Sequence, residues 1–321
     1  MINSVAFAVT FICAIRSATV AIEEPPHIVK GPAKHYVYHV ATSADQTEHF
    51  TLECEASGEP AVEYRWIKND SPFDVSANPR ITRFPRVGTI KFDPTSPDDE
   101  GYYQCIAENI LGTSLSNIAL LKKFDMSGFS NQSTVEKYVK KGEPITLTCD
   151  RPIGYPQPSI FWNLQQSNGA LEQIADPRIS ADEDGNLHFS SVTEKDVKTN
   201  GATYACMAAS VYKNEYKIGT RYVLLFDDPD AEETQVKPKL QFASPESLTV
   251  LKGDYFVVSC IVGGNPTPEI EWQKDDGPIF SKTSPVDGYK FIFKNNGRTL
   301  AFMRAEFGDS GIYRCMAKNG F

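Results

Sequence analysis

Asp99-Glu100-Gly101-Tyr102-Tyr103-Gln104-Cys105 is the stretch on which the reading of this chain turns. Its cysteine closes a triplet with Trp66 and Cys54, and the triplet recurs as Cys149/Trp162/Cys206 and Cys260/Trp272/Cys315. The paired cysteines lie 51, 57 and 55 residues apart. Each second cysteine follows a tyrosine by two positions: Tyr103, Tyr204 and Tyr313. The triplets use all three tryptophans and six of the seven cysteines, which makes them an internal repeat rather than a coincidence.

Outward from the triplets the pattern is that of strands. Phe50/Leu52/Cys54, Ile145/Leu147/Cys149 and Phe256/Val258/Cys260 alternate apolar with polar or exposed positions, so one sheet face collects the apolar side chains. Tyr64/Trp66, Ile160/Trp162 and Ile270/Trp272 do the same, and so do Ile90/Phe92, Leu187/Phe189 and Leu300/Phe302. Gly58-Glu59-Pro60, Gly154-Tyr155-Pro156 and Gly264-Asn265-Pro266 supply turns between the cysteine and tryptophan strands. No helical period is sustained anywhere. The chain is all-β.

Two facing sheets joined by a disulfide, a tryptophan packed on the bridge and a tyrosine corner before the second cysteine make an immunoglobulin sandwich. The chain therefore reads as three in tandem. The short intercysteine lengths leave little room for the extra edge strands of a variable-type domain, which points to the intermediate set. The second copy departs at the corner, with Asn200 and Ala202 where the others have Asp99/Gly101 and Asp309/Gly311, and a looser corner is expected there.

The sandwiches are expected at 25–123, 133–226 and 239–321. Asp125-Met126-Ser127-Gly128 reads as a short junction. Residues 227–238 read as a flexible linker, beginning with the acidic run Asp227-Asp228-Pro229-Asp230-Ala231-Glu232-Glu233-Thr234. The third sandwich reads as lacking its last strand, because the sequence stops at Phe321 soon after Cys315. An unpaired sheet edge is the expected consequence.

An apolar run from Val5 to Ile15, followed by Thr19 and Ala21, reads as a signal peptide over residues 1–21. Arg16 ends the run short of the roughly 20 residues a membrane span needs. Cys13 would leave with that segment, and the other six cysteines form an even set suited to an oxidising, extracellular compartment. Six cysteines allow 15 pairings, and the repeat selects Cys54–Cys105, Cys149–Cys206 and Cys260–Cys315. Each such loop stabilises the fold by about 4 kcal/mol on the chain-entropy account.

A net charge of −9 and no dense Lys/Arg stripe argue against nucleic acid. Lys122-Lys123 and Lys140-Lys141 read as solvated strand ends. His35 and His39 have a helical metal-ligand spacing, but they lie in a strand-like stretch with no third ligand, so no metal is assigned. The acidic run lacks the spacing of a calcium loop. Lys252-Gly253-Asp254 reads as a turn rather than an integrin-binding tripeptide. Nucleophile elbows, phosphate-cradling loops and paired catalytic carboxylates are absent, so neither an enzyme nor a cofactor is expected. Two sequons, Asn69-Asp70-Ser71 and Asn131-Gln132-Ser133, mark candidate glycosylation sites in exposed loops.

Several stretches resemble the neuroglian-type neural cell adhesion molecules. They are Glu53-Cys54-Glu55-Ala56-Ser57-Gly58-Glu59-Pro60, Tyr64-Arg65-Trp66-Ile67-Lys68-Asn69, Glu183-Asp184-Gly185-Asn186-Leu187 and Ser210–Gly219, which contains Glu215-Tyr216-Lys217-Ile218-Gly219. The resemblance implies a membrane-anchored surface protein, continued by further immunoglobulin and fibronectin type III domains and one span. It implies adhesion to another copy of itself, or to a related receptor, on a facing neural or epithelial cell, with a role in axon guidance. It also implies a horseshoe of four domains bending between the second and third, where the acidic run sits; with three domains that horseshoe would stay open. A secreted immune factor resembling hemolin and a receptor ectodomain are the alternative readings. No membrane contact is expected of these residues themselves.

Overall fold

The structure, a computed structural model, describes residues 22–40, 48–212, 215–275, 277–279 and 291–321. The signal segment with Cys13 lies outside them, as do Lys213 and Asn214 within Ser210–Gly219. The chain forms two compact units, one ending at Phe124 and one running from Asp125 to Phe321.

The first unit is a single sandwich. One sheet is Phe50–Leu52, Ile90–Phe92 and Ile81–Arg83, all antiparallel. The facing sheet runs His35–Tyr38, Ala119–Lys123, Gly101–Asn109, Glu63–Lys68, Ser71–Phe73, with Gly112–Leu115 as a hairpin on Gly101–Asn109. His35–Tyr38 and Ala119–Lys123 run parallel and close one edge. Alternation delivers Leu52, Ile90, Phe92, Trp66, Tyr103 and Leu121 to the interior, all buried around the Cys54–Cys105 bridge. Trp66 stands opposite Cys105 in the ladder, and its indole N–H donates to the carbonyl of Gly88 at 2.7 Å. The Tyr103 hydroxyl donates to the Asp99 carbonyl at 2.8 Å, which fixes the corner. Arg80 clamps the Asp99 carboxylate from the other side at 3.0 Å.

The second unit holds two sandwiches. In the first of them, Thr134–Val139, Tyr216–Phe226, Thr203–Ala209, Ser159–Gln165 and Leu171–Gln173 face Ile145–Leu147, Leu187–Phe189 and Ile179–Ala181. Asp125–Met126 pairs with Gly154–Tyr155, and Phe129 is buried in this core, so the stretch that reads as a junction supplies a short strand and a core side chain. Trp162 repeats the indole bond, to Gly185 O at 2.8 Å.

The corner of this sandwich differs from the sequence expectation. Tyr204 donates to the carbonyl of Asp196, eight residues back, at 3.2 Å, where the other copies reach back four. Asp196 is clamped by Arg178 at 2.8 Å, as Asp99 is by Arg80. The aspartate is thus present, and Asn200 lies in a longer turn that interrupts its alignment. Tyr204 is buried, and the corner reaches further back over a longer bond, 3.2 Å against 2.8 Å in the other two copies.

In the last sandwich Val236–Ala243, Phe256–Asn265, Thr299–Phe302 and Phe291–Lys294 face Gly277–Ile279, Glu269–Lys274 and Tyr313–Lys318. Trp272 donates to Gly297 O at 2.7 Å and Tyr313 to Asp309 O at 2.8 Å. Among the described residues Tyr313–Lys318 is paired on one side only, with Glu269–Lys274. Cys149–Cys206 joins the two sheets of the second sandwich and Cys260–Cys315 those of the third.

Candidate functional site

A recognition protein works through faces, and the most built-up face of this chain lies where the second and third sandwiches meet. Leu187 and Phe189 point inward, so His188 and Ser190 point outward, yet both are buried. Ser180 is buried in the same way, and across from it so are Ser259, Ile261 and Thr299, the outward residues of the third sandwich. Each set is covered by the other sheet. In the first sandwich the corresponding outward residues Thr51, Lys91 and Thr82 stay accessible.

The contact is mostly polar. Gly264 N–H donates to Ser190 O at 2.7 Å, and Gln241 Nε2 donates to Ile145 O and Phe189 O at 3.0 and 3.2 Å. Arg298 is the anchor: it is 2% exposed, and its Nη1 donates to Pro177 O and Ser180 Oγ, both at 2.7 Å. Burial pulls its guanidinium below the usual arginine value, with the Asp176 charge acting against that shift. Glu183, still open to water along one side, accepts from Ser259 Oγ and Ser244 Oγ; desolvation raises its carboxyl above the ordinary range. His188 bonds Asp182 at 2.8 Å and Thr146 at 2.9 Å, and its ring faces Phe242 of the third sandwich. Burial pushes the Asp182 carboxyl up, but the bonds from His188 and Asn186 outweigh it and hold Asp182 below its usual value.

Glycine permits this closeness. A Cβ on Gly263 would lie 2.3 Å from Cβ of Pro144 in the second sandwich. None of these cross-contacts was marked by a motif in the sequence. The nearest signal was the repeat itself, because serines and a histidine at outward positions of a sheet are ordinary on a solvated face.

The acidic run is exposed throughout, in keeping with its composition, and it is tied to both sandwiches. Thr234 N–H donates to Lys141 O at 3.0 Å, Lys141 Nζ to Pro229 O at 2.6 Å, and Asn265 Nδ2 to Glu233 Oε1 at 3.0 Å. Asn69 sits with Asp70 in the tight turn between Glu63–Lys68 and Ser71–Phe73, and its Oδ1 accepts from Tyr102 N–H. Asn131 is exposed, with Oδ1 accepting from Ser133 N–H at 2.9 Å. His35 is exposed, and His39 packs its ring on Phe124. No metal-holding cluster occurs among the described residues. Lys252-Gly253-Asp254 forms a turn in which Gly253 has φ +97°.

The model of the immunoglobulin domain matches residues 25–109 and 237–319, together more than half the chain. The chain belongs to the immunoglobulin domain family. The second sandwich, with its longer corner, is not among the matched residues. Neuroglian of Drosophila melanogaster is 35% identical over 98% of the chain, and the neural cell adhesion molecule L1-like protein of Mus musculus is 32% identical over 93%. The chain covers 24% of each, so it spans about a quarter of the length of these curated relatives. The crystal structure of the insect immune protein hemolin, described as a new domain arrangement with implications for homophilic adhesion, superposes with a TM-score of 0.77 at 25% identity. That match covers 93% of this chain and 74% of hemolin. These relatives are immunoglobulin-domain adhesion molecules, a non-enzymatic family. No helix among the described residues is long and apolar enough to cross a membrane.

Proposed function

We propose that this chain is an extracellular recognition module that mediates cell–cell adhesion by binding another copy of itself or a related immunoglobulin-superfamily receptor. The observation that carries the proposal is the docking of the third sandwich on the second through Arg298, Gln241 and Ser190. Such docking couples two modules that would otherwise swing independently, and hemolin, whose crystal structure is described with implications for homophilic adhesion, is similar to this chain. Three disulfides suit an oxidising exterior. We propose further that residues 1–21 direct secretion and that Asn69 and Asn131 carry glycans.

Beads densely coated with the chain test the adhesive reading, since weak single contacts add up across many copies. Self-clustering, or clustering with beads bearing a neuroglian-type ectodomain, is the expected result. Dispersed beads in both arrangements would contradict it.

A further inference from the structure

Six non-glycine residues among those described have a positive φ. Five are asparagine or aspartate, the types that tolerate the left-handed region. The sixth is Arg86, with φ +64°. It sits in the turn between Ile81–Arg83 and Ile90–Phe92, which is held by a Phe84 N–H bond to Thr89 O at 3.0 Å. Glycine or asparagine would relieve the backbone there. An arginine in that conformation points to a use for its side chain, because strained residues gather at working sites.

The surroundings fit that use. Arg83, Phe84, Pro85 and Arg86 are all exposed, and they wall a cleft of about 440 Å³ together with Val62, Glu63, Tyr64 and Val87, so that two guanidinium groups face one carboxylate there. Arg83 and Arg86 form no ion pair within the described chain, although Arg83 feels the charge of Asp74. Arg80, in contrast, is spent on Asp99. Two free guanidinium groups beside an exposed aromatic make a receptor for carboxylates, which arginine grips with two parallel hydrogen bonds.

The same chain displays the matching surface. Asp227, Asp228, Asp230, Glu232 and Glu233 are all exposed. Asp228 is engaged with the Asp230 amide and Glu233 with Asn265, while the carboxylates of Asp227, Asp230 and Glu232 accept no side-chain or backbone bond among the described residues. Two copies at net charge −9 repel at long range, so a local contact of opposite sign favours self-recognition. We propose that the Arg83–Arg86 turn of one copy docks on the Asp227–Glu233 segment of another. This rests on the self-adhesion reading above and names the charge pairing that would carry it.

Charge exchange between beads tests the pairing. R83E/R86E and D227K/D230K/E232K are each expected to abolish self-clustering, whereas mixing the two bead populations is expected to restore it, because each reversed surface then meets its complement. R86G removes the charge and eases the backbone; it should hold or raise the melting temperature while weakening clustering. High salt should weaken wild-type clustering. Wild-type beads that never cluster with themselves would remove the self-adhesion reading and this pairing with it. Wild-type beads that cluster while either variant clusters equally well would overturn the pairing alone. Loss in both variants without rescue in the mixture would also overturn it, and would assign the arginines to a different anionic partner such as a sulfated polysaccharide.

Discussion

The first and third sandwiches carry the same signature and close differently. Cys54/Trp66/Cys105 and Cys260/Trp272/Cys315 share the indole bond to a glycine carbonyl and the tyrosine bond to an aspartate carbonyl four residues back. Even a lysine two residues after the tryptophan is shared: Lys68 lies over the ring of Tyr103, and Lys274 over Tyr313. In the first sandwich His35–Tyr38 and Ala119–Lys123 pair in parallel and seal the edge. In the third, Leu248 and Leu251 occupy the corresponding approach to the cysteine strand, are exposed, and belong to no strand. Tyr103 and Cys105 have no exposed surface, whereas Tyr313 and Cys315 are half-buried. A cleft of about 510 Å³ reaches Trp272 and both cysteines of the third bridge. Burial pushes the Tyr313 hydroxyl up to about 12, and pushes the more deeply buried Tyr103 further. The signature thus sets the fold, and among the described residues the pairing beside the tyrosine strand goes with how deeply its tyrosine and cysteine are buried.

The sharpest way to separate the two is to remove their bridges. C54A/C105A and C260A/C315A should each cost about 4 kcal/mol. The first sandwich is expected to survive that loss and the third to unfold, which separate unfolding transitions in a denaturant melt would show. Equal survival would erase the distinction.

The third sandwich has a compensation that the first lacks within its own unit: it leans on the second. R298A strips the buried anchor and leaves Ser180 Oγ without its partner, while Pro177 O keeps only the Asn296 Nδ2 donor at 3.2 Å, a loss of about 2 kcal/mol. The expected outcome is faster hydrogen exchange in Phe256–Asn265 and Leu187–Phe189 together, with Phe50–Leu52 unchanged. Exchange rates that rise in one strand only would show that the docking does not couple the two.

The corner tyrosines give the smallest contrast. Y103F leaves a fully buried carbonyl unpaired and should destabilise by about 1–2 kcal/mol, whereas at half-exposed Tyr313 water replaces the bond and Y313F should cost less than about 0.5 kcal/mol. Thermal melts of the two variants check this.

Much of this was legible in the residues. Alternation placed Leu52, Phe92, Leu187, Phe189, Leu300 and Phe302 in cores, because a period of two leaves no choice of face once a cysteine fixes the inside. The long reach of the second corner was not legible, because the role of Asp196 is set by its clamp from Arg178 rather than by a fixed step back from Tyr204. The docking surface was not legible at all. His188, Ser190 and Ser259 are buried only because a second sheet covers them, and strand periodicity registers which face a residue is on rather than what covers that face. Arg86 looked like any basic surface residue until its backbone conformation set it apart.

Native-state hydrogen exchange along Gly101–Asn109 and Tyr313–Lys318 tests the central claim most directly, since the two strands carry the same cysteine and tyrosine but differ in the pairing on their outer side. Strong protection is expected throughout Tyr103–Ala107, and weak protection at the alternate amides of Tyr313–Lys318 that face away from Glu269–Lys274. Matching protection in the two strands would contradict it.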